Sequence, residues 1–430
     1  MAASNPGGGT GSSVWRNFMH LATGRALSAV FSLLATAIMA RALGPAEFGL
    51  VVLLHTYVLT IRSLVNLRPA ETFVRFGVPL MSREQHGDLA HLAGLVRSWE
   101  VVTMLGGTAI GLVGAPLLGV LLGWQQETIA VAAAYSLVLL FSGVGLARSV
   151  CRALERFDVL RNAQAVGPIL RLTGVLIAWG LGASWHGYAL AWGLSLAAMY
   201  QYLGFRGRRL RREANIEVRP QPWRTAGERF PGIGRFVGVA YLQGNLDLFP
   251  RQGLVLVVGA LLGTTSAGLF RIAREVADLL AKPVQLIRQA AFTEIAREGA
   301  TESPRLWRFF KRYGLRFGLP ALGLILLIGV FRAEILTLIG GPAYAAAGTL
   351  LVLLLVAAGI ELIGAVLRPI AYAGGREVSA LVVQLGSMSL YLACSAAFAA
   401  SLGIEAVGLG AVAAALLTVS ALAVVVRRAR

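Results

Sequence analysis

Apolar residues in this chain run on for about twenty positions at a time between short polar connectors, too long for buried strands and too uniform for the amphipathic helices of a soluble domain. Reading those runs as helices predicts six near residues 15–40, 47–70, 92–122, 126–148, 159–182 and 184–205. Six more follow near 232–261, 265–290, 312–331, 346–369, 377–400 and 404–426. The fold class is then an all-α polytopic membrane protein of about 12 transmembrane helices, since only helices or closed barrels satisfy their own backbone in lipid. Composition agrees: of 430 residues, 57% are hydrophobic and 14% charged, more apolar side chain than a soluble core could hide.

The two halves match at a nearly constant offset. Leu43, Gly44, Gly49 and Leu50 correspond to Leu262, Gly263, Gly268 and Leu269, 219 residues later. Arg68 and Ala70 correspond to Arg288 and Ala290, and Arg148, Ala153 and Arg156 to Arg368, Ala373 and Arg376, 220 residues later. With six helices between copies, the halves share one orientation, which predicts two six-helix lobes about a pseudo-twofold axis along the membrane normal. The organisation reads as a disordered N-terminus over 1–13, an N-lobe over 14–205 and a basic cytoplasmic linker over 206–230, then a C-lobe over 231–426 and a basic tail over 427–430.

Charge gives the bundle a direction. The net +18 and the isoelectric point near 11.1 would suit nucleic acid, but the cations sit in alternate connectors, as in the cytoplasmic loops of membrane proteins. Those connectors carry Arg83, Arg148 to Arg161, the run from Arg206 to Arg229, Arg297 to Arg312, Arg368 with Arg376, and Arg427 to Arg430. The opposite connectors hold only Arg41 and Arg332. Both termini are therefore expected in the cytoplasm. No nucleic-acid partner is expected, and the first 13 residues show no charged n-region of a cleavable signal peptide. Cys151 and Cys394 lie in no metal or redox spacing. No nucleotide-binding GxxxxGK[ST] loop is present, so no cofactor is expected beyond coupling to H+ or Na+.

A charged side chain at the bilayer centre costs about 2.5–3.5 kcal/mol on insertion scales, so it turns to a partner or a watery cavity. Helix eight places Arg271, Arg274, Glu275, Asp278 and Lys282 on one face, and helix two does the same with His55, Arg62 and Asn66. Helix seven adds Gln243, Asp247 and Arg251, and helix one Asn17, His20 and Arg25. Guanidinium groups are always charged and offer paired donors to phosphate oxygens. The substrate-binding candidates are therefore Arg25, Arg62, Arg251, Arg271, Arg274, Lys282, His55 and Asn66. Asp247, Glu275 and Asp278 are candidates for ion coupling, and equally for salt bridges to these arginines. The pairs Arg271 with Glu275 and Arg274 with Asp278 also read as intrahelical ion pairs. Arg68, Arg75 and Arg288, near cytoplasmic ends, read as lipid-headgroup anchors or topology signals, and Trp192 as packing.

The stretch ARALGPAEFG, Ala40 to Gly49, resembles the polysaccharide (Wzx-type) flippases of the multidrug/oligosaccharidyl-lipid/polysaccharide exporter superfamily. EILTLIGGPAYAAA, Glu334 to Ala347, resembles their short extracytoplasmic segment between helices nine and ten. The helix pattern is similar from Trp15 onward, although the group often has fourteen helices. The resemblance implies that helices one, two, seven and eight line a central cavity. It also implies a non-enzymatic transporter of the bacterial inner membrane that flips polyprenyl-pyrophosphate-linked oligosaccharide by alternating access during exopolysaccharide, capsule or O-antigen biosynthesis. Its partners would be that lipid-linked oligosaccharide, membrane lipids, and polysaccharide polymerase or export proteins. Two other classes compete. A multidrug or small-molecule antiporter of the superfamily would want an acidic, aromatic cavity, against which the arginine excess counts. A membrane glycosyltransferase or polymerase would want a large outer loop or an acidic pair, and the outer connectors are short.

Overall fold

The computed structural model describes residues 10–219, 226–298, 323–365, 367–373 and 375–427, and the side chains within them except those of 10–27, 246–251, 279–298, 373 and 377. Regular structure among these residues is helical throughout. The first part of the chain forms α1 (Thr10–Val65), α2 (Pro69–Ser82), α3 (His86–Leu121), α4 (Gln126–Ser136), α5 (Gly145–Ala153), α6 (Phe157–Gly180), α7 (Trp185–Glu213) and the short α8 (Ala226–Arg229). The second forms α9 (Ile233–Glu298), α10 (Gly323–Val330), α11 (Arg332–Gly340), α12 (Gly348–Ile363), α13 (Leu367–Ala373), α14 (Glu377–Leu402) and α15 (Glu405–Arg427).

Eight described segments are long and apolar enough to cross a membrane, and the pair α10 and α11, bent by 70°, would make a ninth. The expected count of about 12 takes the arms of α1 and α9 on either side of their kinks separately. It also includes α7, whose apolar run is interrupted by His186, Tyr188, Trp192, Tyr200 and Gln201. Large side chains point outward in ridges, among them Leu117 at 72% and Val120 at 82% exposure on α3. Such a surface is costly in water and suited to lipid.

The kinks fall on the repeat. Gly44 sits at φ 68°, ψ 175° inside α1, and its counterpart Gly263 at φ 80°, ψ 179° inside α9. Only glycine enters that region freely, so both copies conserve one backbone turn. The repeat also holds further on: Glu155 takes φ 54° just before α6, and Gly375 takes φ 68° just before α14. Arg156 and Arg376 follow them as the N-cap residues of those helices.

Three expected helices are broken. The run over 47–70 stops at Val65, and Asn66–Arg68 are non-helical before Pro69 opens α2. Proline at the first helical position has no N–H to lose and clashes with a helical residue before it, so a new helix starts there. In the run over 126–148, a 3-10 turn spans Leu137–Phe141 and residues 142–144 are non-helical. Gly143 and Gly145 weaken the helix there. The run over 346–369 ends at Ile363, and α13 resumes at Leu367.

The chain divides into two compact units, one of Met1–Met39 with Leu54–Gly253, the other of Ala40–Leu53 with Leu254–Arg430. In the first, α2, α3, α5, α6 and α7 bury Phe73, Leu92, Leu95, Val150, Val159 and Tyr200 in one core. In the second, α12, α14 and α15 pack together, and the repeat-matched glycines Gly49 and Gly268 meet. A Cβ on Gly49 would overlap the Thr264 carbonyl, and one on Gly268 the Pro45 carbonyl. The two stretches that carry the family resemblance also meet in this unit. Arg41 donates from its guanidinium to the carbonyls of Thr337, Leu338 and Ile339 at the C-terminal end of α11. Phe48 stands edge-on to Tyr344, centroids 6.1 Å apart.

Candidate functional site

Two broken helices of the first unit meet at one cavity. The break at Asn66–Arg68 delivers the N-terminus of α2, and the break at residues 142–144 delivers the N-terminus of α5. They touch so closely that a Cβ on Gly145 would strike the Pro69 ring and Glu100. Between them lies a cavity of about 60 Å³ whose polar lining includes Arg62, Asn66, Arg68, Glu71, Glu100 and Arg148.

Glu100 is the buried carboxylate of this region, at 2% exposure in the middle of α3. One oxygen accepts the Leu146 N–H, one of the first free donors of α5. The other lies 3.0 Å from Arg97, which also donates to the Gly143 carbonyl across 3.3 Å. Glu71, in the first turn of α2, has Arg152 at 3.7 Å. Both carboxylates thus have their own cation, and both lie where a helix dipole favours negative charge.

The three arginines that remain are differently placed. The Arg62 guanidinium lies 4.7 Å from the centroid of Tyr200. Arg148 lies within the electrostatic reach of Arg62 and Arg152. Arg68 holds a left-handed backbone at φ 55°, ψ 47°, its N–H given to Asn66 Oδ1 at 3.1 Å. Its guanidinium lies against Gly244, and its Nε and Nη2 are buried without a hydrogen bond among the described residues. Gly244, having no side chain, leaves room for that guanidinium.

A second polar cluster stands deeper in the same unit. His55 is buried at 8% exposure. Its Nδ1 is 2.8 Å from the Tyr135 hydroxyl, and its ring meets Trp192 edge-on at 4.9 Å. Arg171 lies 4.7 Å from the Trp192 centroid. Trp192 therefore does more than fill space, holding a histidine and a cation in a low-dielectric interior.

The stripe on the second arm of α9 is only partly an inward face. Arg271 and Glu275 form an i, i+4 ion pair at 3.4 Å, with side-chain exposures of 34% and 18%. Arg274 sits 5.7 Å from the centroid of Phe270, and Asp278 is exposed. Of the sequence-derived candidates, Arg62 and Asn66 share the cavity, His55 lies in the neighbouring cluster, and Arg271, Arg274, Glu275 and Asp278 line one helix. Arg25, Asp247, Arg251 and Lys282 carry side chains outside the described set.

Sequence reasoning passed over Arg68, Glu71, Glu100, Arg148 and Arg171. A usable signal was present for two of them, because Glu100 interrupts the apolar run that begins near Leu92 and Arg171 the run over 159–182, and an ionisable residue inside such a run marks a site by default. Arg68, Glu71 and Arg148 stand at the ends of the expected helices or just beyond, and only the breaks bring them to one cavity.

No protein-family model matches the chain. It is 25% identical over 331 residues to "Inner membrane protein YghQ" of Escherichia coli (strain K12), covering 76% of this chain and 90% of that one. The fold is that of several solved transporters. The lipid II flippase MurJ in an inward closed conformation aligns with TM-score 0.72 at 12% identity, over 95% of this chain and 87% of the other. A multidrug resistance MATE family transporter of the MOP superfamily, inward-facing, aligns with TM-score 0.71 at 16% identity, over 93% and 95%. The Vibrio cholerae MATE transporter VcmN aligns with TM-score 0.62 at 18% identity, over 97% and 96%.

Proposed function

We propose that this chain is a multi-pass transporter of the bacterial inner membrane that flips a polyprenyl-pyrophosphate-linked oligosaccharide. The observation that carries this reading is the cationic bias of its polar interior. In the first unit Arg62, Arg68 and Arg148 line a cavity whose two carboxylates, Glu71 and Glu100, already have partners of their own. A diphosphate is the anion such a bias suits. The fold it shares with a lipid II flippase supports the same reading, as does the likeness to an inner membrane protein. Arg25, Arg62, Arg251, Arg271, Arg274, Lys282, His55 and Asn66 would hold the anionic head and sugar while the lipid tail stays in the bilayer. The lobes would rock about that site, with coupling to H+ or Na+ through Asp247, Glu275 or Asp278.

Multidrug exporters share the fold, and the two readings separate on charge: a cationic drug is repelled where a diphosphate is held. Translocation of a lipid-linked oligosaccharide in proteoliposomes tests this. Replacement of Arg62, Arg251 and Arg274 together by Ala should lower the rate at least tenfold, and an imposed H+ or Na+ gradient should alter it in the wild type but not in Asp247→Asn. Unimpaired transport in the triple variant, or export of a cationic drug with no sugar-lipid translocation, would overturn the proposal.

A further inference from the structure

The cavity between the two helix breaks has the features of an occupied anion site. Arg62, Arg68 and Arg148 line it, half-buried, and no carboxylate lies within 4 Å of any of them among the described residues. Cations drawn out of water without counter-charges are costly. Arg68 adds a second cost, since a left-handed backbone is strained on a residue with a Cβ and is retained where the surroundings require it. The charge tally does not close from within. Glu100 is occupied by the Leu146 N–H and Arg97, and Glu71 by Arg152.

The backbone points the same way. The N-terminus of α2, a helix of 14 residues, opens on the cavity, and a helix N-terminus carries about half a positive charge; that of α5 is already answered by Glu100. Size fits as well. At roughly 10–15 Å³ per water-sized position, about 60 Å³ gives about four to six positions, enough for a phosphorus and its oxygens. Sulfate would be held by the same donors, but a chain bathed in lipid meets phosphate at every headgroup.

We propose that this cavity is a phosphate-binding site internal to the first unit, taking one phosphoryl group of a lipid through Arg62, Arg68 and Arg148. Two sources share that chemistry, an anionic phospholipid headgroup and the diphosphate of a lipid-linked sugar. Only the second rests on the proposed flippase function.

The test uses the full chain purified in neutral detergent, with inorganic pyrophosphate as the soluble probe in calorimetric titration. In parallel, the protein in nanodiscs of phosphatidylglycerol or phosphatidylcholine is examined by native mass spectrometry for retained lipid. Wild type should bind pyrophosphate or retain phosphatidylglycerol over phosphatidylcholine. Arg68→Gln and Arg148→Gln should each weaken that binding at least tenfold, whereas Arg209→Gln, on an exposed pair with Glu213, should not. Should a Gln variant fail to fold, Arg68→Lys and Arg148→Lys keep the charge and lose the fork, and a several-fold loss is expected.

Pyrophosphate binding that depends on Arg68 assigns the site to a diphosphate, and retention of phosphatidylglycerol alone assigns it to a headgroup. Binding of neither probe, or equal binding in wild type and all variants, overturns the site. Translocation intact in Arg68→Gln beside lost pyrophosphate binding would leave the site standing and detach it from transport. Binding retained beside absent wild-type translocation would instead overturn the flippase.

Discussion

At 2% exposure and in the middle of a membrane helix, Glu100 is held in place by two obligations. It supplies the acceptor that the Leu146 N–H has lost by standing at the start of a helix, and it neutralises Arg97. Deleting it strands a buried donor, which costs about 1–3 kcal/mol. Glu100→Ala is therefore expected to lower thermal stability in detergent by several degrees. Glu100→Gln should cost less, because its amide oxygen still accepts from Leu146; equal losses in the two variants, read by scanning fluorimetry, would show that only the charge matters. Little of this was legible along the chain. The carboxylate reaches 46 residues ahead to a donor that exists only because the helix is broken, and hydropathy averaged over twenty residues does not register a break of three.

Among the helices, the glycine kinks show what the repeat could and could not reveal. Gly44 and Gly263 were matched by position alone, and both take a conformation closed to other residues. Gly44→Ala and Gly263→Ala are each expected to cost about 1–3 kcal/mol, by similar amounts since the turn is the same. Gly106→Ala, within α3 where nothing lies near its Cβ, should instead gain about 0.5–1 kcal/mol. Thermal unfolding of the three variants checks this, and a loss at Gly106 as large as at the kinks would point to lipid contacts instead of backbone strain. The repeat did not disclose that its copies differ in chemistry. Arg368 donates to Gln384, whereas its counterpart Arg148 faces a cavity with two other arginines. Equivalent backbones carry unequal side-chain networks because the matched residues are few and their partners lie on helices where the copies have diverged.

For the whole molecule, the alternation of cationic and neutral connectors sets the expected direction in the membrane. Reporter fusions after Arg212 and after Arg427 should report the cytoplasm, and fusions within residues 181–184 the opposite side; the reverse pattern would place both termini on the opposite side. Membrane class and helix positions were legible in the apolar runs, since length and hydropathy alone fix what can cross lipid. One of the two arginines that run against the charge rule, Arg41, finds its reason only in three dimensions. Its guanidinium holds the last carbonyls of α11, where a cation is favoured by the helix dipole. Arg41 and Leu338 are 297 residues apart, and Phe48 closes the same joint on Tyr344. Ala40–Gly49 and Glu334–Ala347 are in consequence a single heritable part. A chimera that exchanges one stretch with a relative must exchange the other, so this chain can be cut and rejoined only where both travel together.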